Sequence, residues 1–529
     1  MTTSVGTNAA ARRDRRRGGP RRGGPRRGGP RRGGRGAVAG GWGALALCGT
    51  GAVLLGIVMA LGPSAAVPRI GAGGPIWSIA AHPSEATVIA LERAGLLLGA
   101  LGVGLGLAAA RRGWTPPARL LLAAGGLVAA AYVFLPPAGS IDVLNYAIYG
   151  RIASLGHDPY LMRPAALYSS GDPVGVFAPA NWRTLPTVYG PVATAAQWVA
   201  AQLGGGSMAR IVFWIRLGNA IAYVATAAAL VRLAGPDPAR RARACLLWAV
   251  NPLMLFWLVG SGHVDVLLAL LGVAALTALT VIRNSGVAAG ACAGILAGAA
   301  TAIKTPFALA AAGLAAAARK SPRTLAAAAA GAAAVLVPSY LLPGALDAGV
   351  LGRRLTVSAG FIYPVPAAVA VRPAVFAAVV FLAAAALGTL LVRRMPPGPA
   401  LLPAVRPMLA LSLAWLAVFP VQAPWYDALV FPLLALMPAS RLDYLLITRC
   451  LLLSEMLLPG VLPNTGGFSV VTARLSHAGL FVLLGVLIVM CVSGAWGSAG
   501  GDSGDPGNRD DLGNAARSLR RHPNGGIRA

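Results

Sequence analysis

The sequence predicts an all-α polytopic membrane protein with about 13 to 14 transmembrane helices and a large first extracytoplasmic loop. Three observations carry this. The 529 residues are 57% hydrophobic and only 12% charged, with a mean hydropathy of +0.69, whereas a soluble globular chain carries about twice that charged fraction. The apolar residues gather in repeated runs long enough to cross a bilayer. The arginines fall on alternate loops between those runs, as they do when basic loops stay in the cytoplasm.

In chain order, residues 1–40 form an Arg/Gly/Pro-rich tail. From Arg16 to Gly34 the unit Arg-Arg-Gly-Gly-Pro repeats with period five, and twelve arginines stand against Asp14 up to Gly36. Such a composition cannot bury a core and predicts a disordered cytoplasmic segment. Its charge suits anionic membrane lipids and sets topology, while the lack of aromatics to stack on bases argues against nucleic acid. The first span, near 41–62, has no clear small-residue cleavage site after it and serves as its own insertion signal. Spans follow near 88–110 and 118–136, the last ended by Pro136-Pro137. The segment 136–209 is far too long for a simple connector and is assigned to the extracytoplasmic side. Beyond it, spans are expected near 211–233, 244–259, 264–282, 287–303, 324–342, 373–392, 405–420 and 479–495, with shorter runs at 306–318, 426–438 and 444–460 completing an even set. The membrane domain thus covers 41–495, a second disordered tail covers 496–529, and both termini are cytoplasmic in a multi-pass plasma-membrane protein. Cys48, Cys245, Cys292, Cys450 and Cys491 lie in or beside spans and read as apolar packing residues, not disulfides.

The polar residues are few enough to weigh singly. Asp237 and Asp443 sit beside arginines on cytoplasmic loops and read as solvated charges; Glu85 and Glu92 complement the N-terminus of the second span. Glu455 lies deep in a span, six residues after Arg449, and reads as a structural intramembrane contact. Asp142, Asp158 and Asp172 share the first outer loop with Tyr146, Tyr149, Arg151, His157, Tyr160, Arg163, Trp182, Arg183 and Tyr189, a density that implies a polar pocket. Asp142, Asn145, Tyr146 and Tyr149 recur at spacings of three and four, which places them on one face of a short helix along the membrane surface. A carboxylate directly after a span, as Asp142 is, acts as an anchor or as a catalyst. Gly156-His-Asp-Pro-Tyr160 reads as a turn, and Tyr189-Gly190-Pro191 as a helix entry.

Further along, Gly260-Ser-Gly-His263-Val-Asp265 places a histidine and an aspartate at the outer end of the fifth span. Residues two apart on a helix do not face each other, so no metal pair is expected; no metal or other cofactor is called for. Lys304, in Thr301-Ala-Ile-Lys-Thr-Pro306, projects to the head-group level, where it either snorkels or meets a lipid phosphate. Arg353-Arg354 lies on an outer loop against the positive-inside trend, which favours an anionic ligand on that face. Trp425 and Tyr426 suit an interfacial aromatic belt. No phosphate-loop or dinucleotide glycine pattern is present. An outer-face pocket holding a carboxylate, cations and aromatics suits transfer from a lipid phosphate donor, which is already activated and needs only a base for the acceptor hydroxyl. The competing class, a transporter or flippase of lipid-linked saccharide, predicts inverted repeats and paired broken helices at the midplane; no convincing repeat is found.

Taken together, Asp142 with Tyr146 and Gly150, Gly156-His-Asp-Pro-Tyr160, Tyr189-Gly-Pro191, Asn251-Pro252 with Gly262-His-Val-Asp265, Lys304-Thr-Pro306 and Pro424-Trp-Tyr426 resemble the polyprenyl-phosphate-sugar-dependent glycosyltransferases of the GT-C fold. The resemblance is greatest to the polyprenyl-phosphomannose α-mannosyltransferases that build lipomannan-type polymers. It implies an inverting transfer of mannose, or of another sugar such as arabinose, from a polyprenyl-phosphate donor to a lipid-linked glycan acceptor on the extracytoplasmic face, with an α-mannosidic product, α-1,6 in the lipomannan type. It implies Asp142 as the base, Lys304 as a phosphate contact, and His263 and Asp265 as aids to donor or acceptor binding. Tyr146, Arg151, His157, Asp158, Tyr160, Tyr189, Arg353, Arg354, Trp425 and Tyr426 complete the expected substrate site.

Overall fold

The computed structural model of the chain describes residues 33–282, 285–341, 373–419, 421–459 and 467–496. Both expected tails, apart from residues 33–40 and Trp496, and Arg353-Arg354 lie outside the described residues. Every regular element within them is a helix, and a helical segment lies within each range where a span is expected. Among the described residues, α1 (Gly33–Leu61), α2 (Glu85–Arg111) and α7 (Met208–Leu233) are long and apolar enough to cross a membrane. A fourth crossing is broken: Pro238–Ala249 and Pro252–Gly260 meet at a 40° bend. Other apolar helices are shorter, at 10–17 residues, among them α3 (Ala118–Val133), α10 (Asp265–Val281), α11 (Gly286–Thr301) and α12 (Phe307–Ala318).

Local chemistry sets the boundaries. Ser84, Ser207 and Ser285 cap α2, α7 and α11 by accepting backbone N–H groups from Thr87, Arg210 and Ala288. Small residues set the packing, as they must where lipid offers no hydrophobic drive between helices. Along α11, Gly290, Gly294 and Gly298 present bare backbone to α13 (Pro322–Tyr340); a Cβ there would stand 2.2, 2.0 and 2.9 Å from atoms of Thr324, Ala328 and Ala332. The bend of the broken crossing has an evident cause. Asn251 is followed by Pro252, which has no N–H to continue the helix, and a π-helical turn stands on each side, at Cys245–Ala249 and Phe256–Gly260.

The segment after α3 holds α4 (Asp142–Ser154), α5 (Pro164–Ser169) and α6 (Pro191–Gly204). The helix expected at Asp142 is present, but it has no solvent face: Val143 through Gly150 are all buried. Its polar residues recur at the expected spacing, yet Val143, Ala147 and Ile148 fill the other side, and α6 and α7 pack on it.

Several charges sit differently from their expected places. Asp443 is fully buried between Arg111 and Arg243 rather than solvated. Glu455 pairs with Arg93 at 2.8 Å, not with Arg449, whose partner is Asp427. Glu85 occupies the first turn of α2 as expected, whereas Glu92 lies seven residues on, fully buried, with no hydrogen-bond partner for its carboxylate among the described residues. Cys48, Cys245, Cys450 and Cys491 are buried, but Cys292 is exposed on α11.

Candidate active site

The short connection from α3 to α4 is clamped from the far side of the chain. Arg216, in the middle of α7, donates to the carbonyl oxygens of Tyr132 and Leu135 and, at 2.9 Å, of Val259. Ser261 donates its hydroxyl to Ala138 O. Three residues on from Arg216, Asn219 Nδ2 donates to Leu258 O and His263 O, each at 3.0 Å. These bonds satisfy carbonyls freed by the irregular turn at Gly260–His263 and bind that turn to the start of α4. Gly262 makes the turn possible: its φ is +86°, and a Cβ would stand 2.9 Å from Val143 Cγ2.

Asp142 and His263, 121 positions apart in sequence, consequently face each other, with Asp142 Oδ2 3.9 Å from His263 Nδ1. That is electrostatic contact, too long for a hydrogen bond. His263 Nδ1 lies 3.2 Å from the Tyr146 hydroxyl, to which Tyr189 donates, also at 3.2 Å. Where Tyr146, with Tyr189 donating into it, gives its own proton to Nδ1, Nε2 is the protonated nitrogen. Nε2 is buried and has no hydrogen-bond partner among the described residues. The imidazole stacks on Trp425, with ring centroids 3.6 Å apart and planes 12° from parallel.

Lys304 arrives from the link between α11 and α12. Its Nζ donates to both oxygens of Asp265, at 2.8 and 2.6 Å, and stands 4.7 Å from the centre of the Tyr426 ring and 5.7 Å from that of Tyr189. The entry to α6 is pinned to the same link, since Gly190 N–H and Val192 N–H donate to Ile303 O and Ala302 O. Only glycine fits there, because a Cβ on residue 190 would stand 2.0 Å from Ala302 O. This close approach brings Tyr189 to Lys304.

Burial also sets the acid–base state of the cluster. Burial, with its side chain only 17% exposed, pushes its carboxyl up to about 6; Lys304 pulls the other way and Asp265 adds to the rise. Burial first, and then neighbouring phenols and carboxylates, push Tyr146 and Tyr189 well above the usual phenol range, so both stay protonated donors at neutral pH. Among the described residues no three His, Cys, Asp or Glu side chains are grouped to hold a metal ion.

A family model described as alpha-(1->6)-mannopyranosyltransferase, N-terminal domain, matches residues 45–320, just over half of the chain. The chain belongs to that family. Asp142, Tyr146, Tyr189, His263, Asp265 and Lys304 all fall inside the stretch that defines this alpha-(1->6)-mannopyranosyltransferase family, while Trp425 and Tyr426 come from beyond it. Among curated proteins, the chain is 31% identical over 136 residues to an alpha-(1->6)-mannopyranosyltransferase of Mycobacterium tuberculosis, covering 25% of this chain and 22% of that one. It is 32% identical over 138 residues to a "probable alpha-(1->6)-mannopyranosyltransferase" of Mycolicibacterium smegmatis, covering 25% and 24%. The match thus spans under a quarter of the length of these relatives. No solved structure matches the chain.

Not every expected site residue joins this cluster of the family member. Arg151 donates twice to Asp172 Oδ2, at 3.1 and 2.9 Å, and Asp172 Oδ1 accepts from Val174 N and Gly175 N. Burial raises the Asp172 carboxyl, but these donors outweigh it and hold the carboxyl below its ordinary value. The pair fastens α4 to the loop after α5. Asp158 closes its own turn by accepting from Tyr160 N at 2.8 Å, Tyr160 shares a hydrogen bond with Thr194 of α6, and His157 is exposed. Trp425 and Tyr426, suited to an interfacial belt, are instead half-buried against His263 and Lys304. Sequence reasoning passed over Arg216 and Asn219. A signal existed, an arginine and an asparagine three apart inside an apolar span, where an ionisable residue is by default functional.

Proposed function

We propose that the chain moves mannose from a polyprenyl-phosphate donor to a hydroxyl of a lipid-linked glycan on the extracytoplasmic face, with inversion and an α-1,6 product. The observation that carries this reading is the largely buried carboxylate of Asp142, which has His263 3.9 Å away and feels the charge of Lys304, itself paired with Asp265, the three coming from separate parts of the chain. In the step proposed, the acceptor oxygen bonds to the anomeric carbon as the bond from that carbon to the phosphate oxygen breaks. Asp142 takes the hydroxyl proton, and polyprenyl phosphate leaves with the electron pair. Negative charge grows on the departing phosphate, and in this reading His263 Nε2–H and Lys304 are the donors that meet it. Tyr146 and Tyr189 hold the imidazole in that tautomer, and Arg216 and Asn219 hold the turn that carries it.

The arginine pattern of the loops supports the assignment of this end of the bundle to the outside. The broken crossing would also suit a transporter, but Asp142, His263, Asp265 and Lys304 form one cluster beside α4 and the entry to α6. Membranes containing the chain, supplied in turn with radiolabelled polyprenyl-phosphomannose and polyprenyl-phosphoarabinose, decide between these. Label passing into lipid-linked glycan from the first supports the proposal, from the second changes the sugar, and from neither leaves the transporter.

The raised carboxyl of Asp142 adds a pH prediction. The base works only when ionised, so with donor saturating the rate should fall by about tenfold per pH unit once pH drops below about 6, where an ordinary aspartate would hold to about 4. A rate unchanged through that window removes Asp142 as the base.

A further inference from the structure

At the other end of the same helices lies a second polar cluster that the transfer step does not use. α3 and the broken crossing run from this end to the Asp142 end, and α2 finishes here at Arg111. A cavity of about 430 Å³ opens between α2, α8 (Pro238–Ala244) and the segment from Ala435 to Asp443. Its polar wall is formed by Arg111, Arg240, Arg243 and Asp443, and its apolar wall includes Leu107, Pro399, Leu436 and Met437.

Two arginines hold one carboxylate, and a third stands at the rim. Arg111 Nη2 donates to Asp443 Oδ2 at 3.0 Å and to Ser440 O at 2.6 Å, while Arg243 donates to Asp443 Oδ1 and to Leu434 O. That spends the only acid of the wall and leaves Nε and Nη1 of Arg111 and Nε of Arg243 buried without a hydrogen-bond partner among the described residues. Arg243 is 7% exposed, so its idle N–H cannot be discounted as a solvated surface group. Arg240 stands exposed at the rim and adds a further positive charge. A buried guanidinium with idle donors calls for an acceptor that is anionic and presents several oxygens, which a phosphate does. The apolar wall on the opposite side suits a carbon chain attached to it.

We infer that this cavity binds the phosphate of an anionic phosphate ester, seated on Arg111, Arg240 and Arg243 with its carbon chain against Leu107 and Met437. The site is separate from the transfer reaction, and its failure would leave that reading untouched. The test uses the full chain purified in a neutral detergent and followed by thermal unfolding and equilibrium binding. The probes are inorganic phosphate, short-chain phosphatidylglycerol, and phosphatidylcholine with the same chains. Binding and stabilisation by either of the first two, but not by phosphatidylcholine, is expected. A response to phosphatidylglycerol alone identifies a lipid headgroup, and an equal response to phosphate identifies the free anion. Arg240→Ala should weaken binding by about tenfold, the loss of one charged hydrogen-bond donor, without changing the unliganded melting temperature. Ala439→Glu, which places a carboxylate among the arginines, should abolish binding. No binding of either anionic probe, or binding unaltered in Arg240→Ala, overturns the site; Arg240→Ala keeps the test decisive even where Ala439→Glu does not fold.

Discussion

Asp142→Asn is expected to lower mannosyl transfer by roughly 10²–10⁴-fold, the usual worth of a positioned general base, while the protein stays inserted and melts no lower than the parent. The two halves of that expectation come from one fact. Burial disfavours the charged form of Asp142 enough to push its carboxyl up to about 6, so the fold carries the cost of an ionised group there at neutral pH. The amide keeps the shape, and the hydrogen bond from the Asp142 backbone N–H to Ser140 Oγ is left in place by the substitution. A structural acid behaves oppositely: remove the charge from Asp172, which holds Arg151 and two backbone N–H groups, and stability falls. Label transfer in membranes gives the first half and thermal unfolding in detergent the second. Turnover retained in Asp142→Asn would remove the proposed mechanism at its centre.

How far the sequence could be read depends on the range of the contact that decides each feature. Helix positions follow from local composition, and the ranges 88–110, 211–233 and 405–420 correspond to α2, α7 and the helix Val405–Val418 within a few residues. Asp142 was legible because its signal is local too, a carboxylate just beyond an apolar run and ahead of residues at helical spacing. Partners were not. Glu455 invites pairing with Arg449, six residues away, but six residues on a helix is more than one and a half turns and sets the side chains on different faces. The bundle pairs Glu455 with Arg93, 362 positions distant, and Arg449 with Asp427. The same holds at the site, where Tyr146 meets His263 across 117 positions and Asp265 meets Lys304 across 39. The burial of Asp443 was hidden for a further reason: an acid beside arginines looks solvated until distant helix ends, here those of α2 and α8, close over it.

The Lys304–Asp265 pair separates a role in binding from a role in support, because its two halves are unequally buried. Asp265 is 1% exposed and Lys304 17%. Lys304→Met strands a carboxylate with no route to water and should cost about 3–5 kcal/mol, the usual penalty for breaking a buried pair from one side. Asp265→Asn leaves a lysine that can still lean toward water across the Tyr426 ring, and its cost should be smaller. The two changes act on Asp142 in opposite senses. Lys304 pulls its carboxyl down, so Lys304→Met should move the acidic fall-off of the rate to higher pH; Asp265 pushes it up, so Asp265→Asn should move that fall-off to lower pH. Donor affinity then decides what the lysine is for. If Lys304 meets the donor phosphate, the double variant Lys304→Met/Asp265→Asn regains much of the lost stability, since no charge is left unpaired, yet keeps the raised donor KM of Lys304→Met. A double variant with both stability and KM restored would leave Lys304 as one half of a structural ion pair, with His263 Nε2 the remaining donor for the departing phosphate.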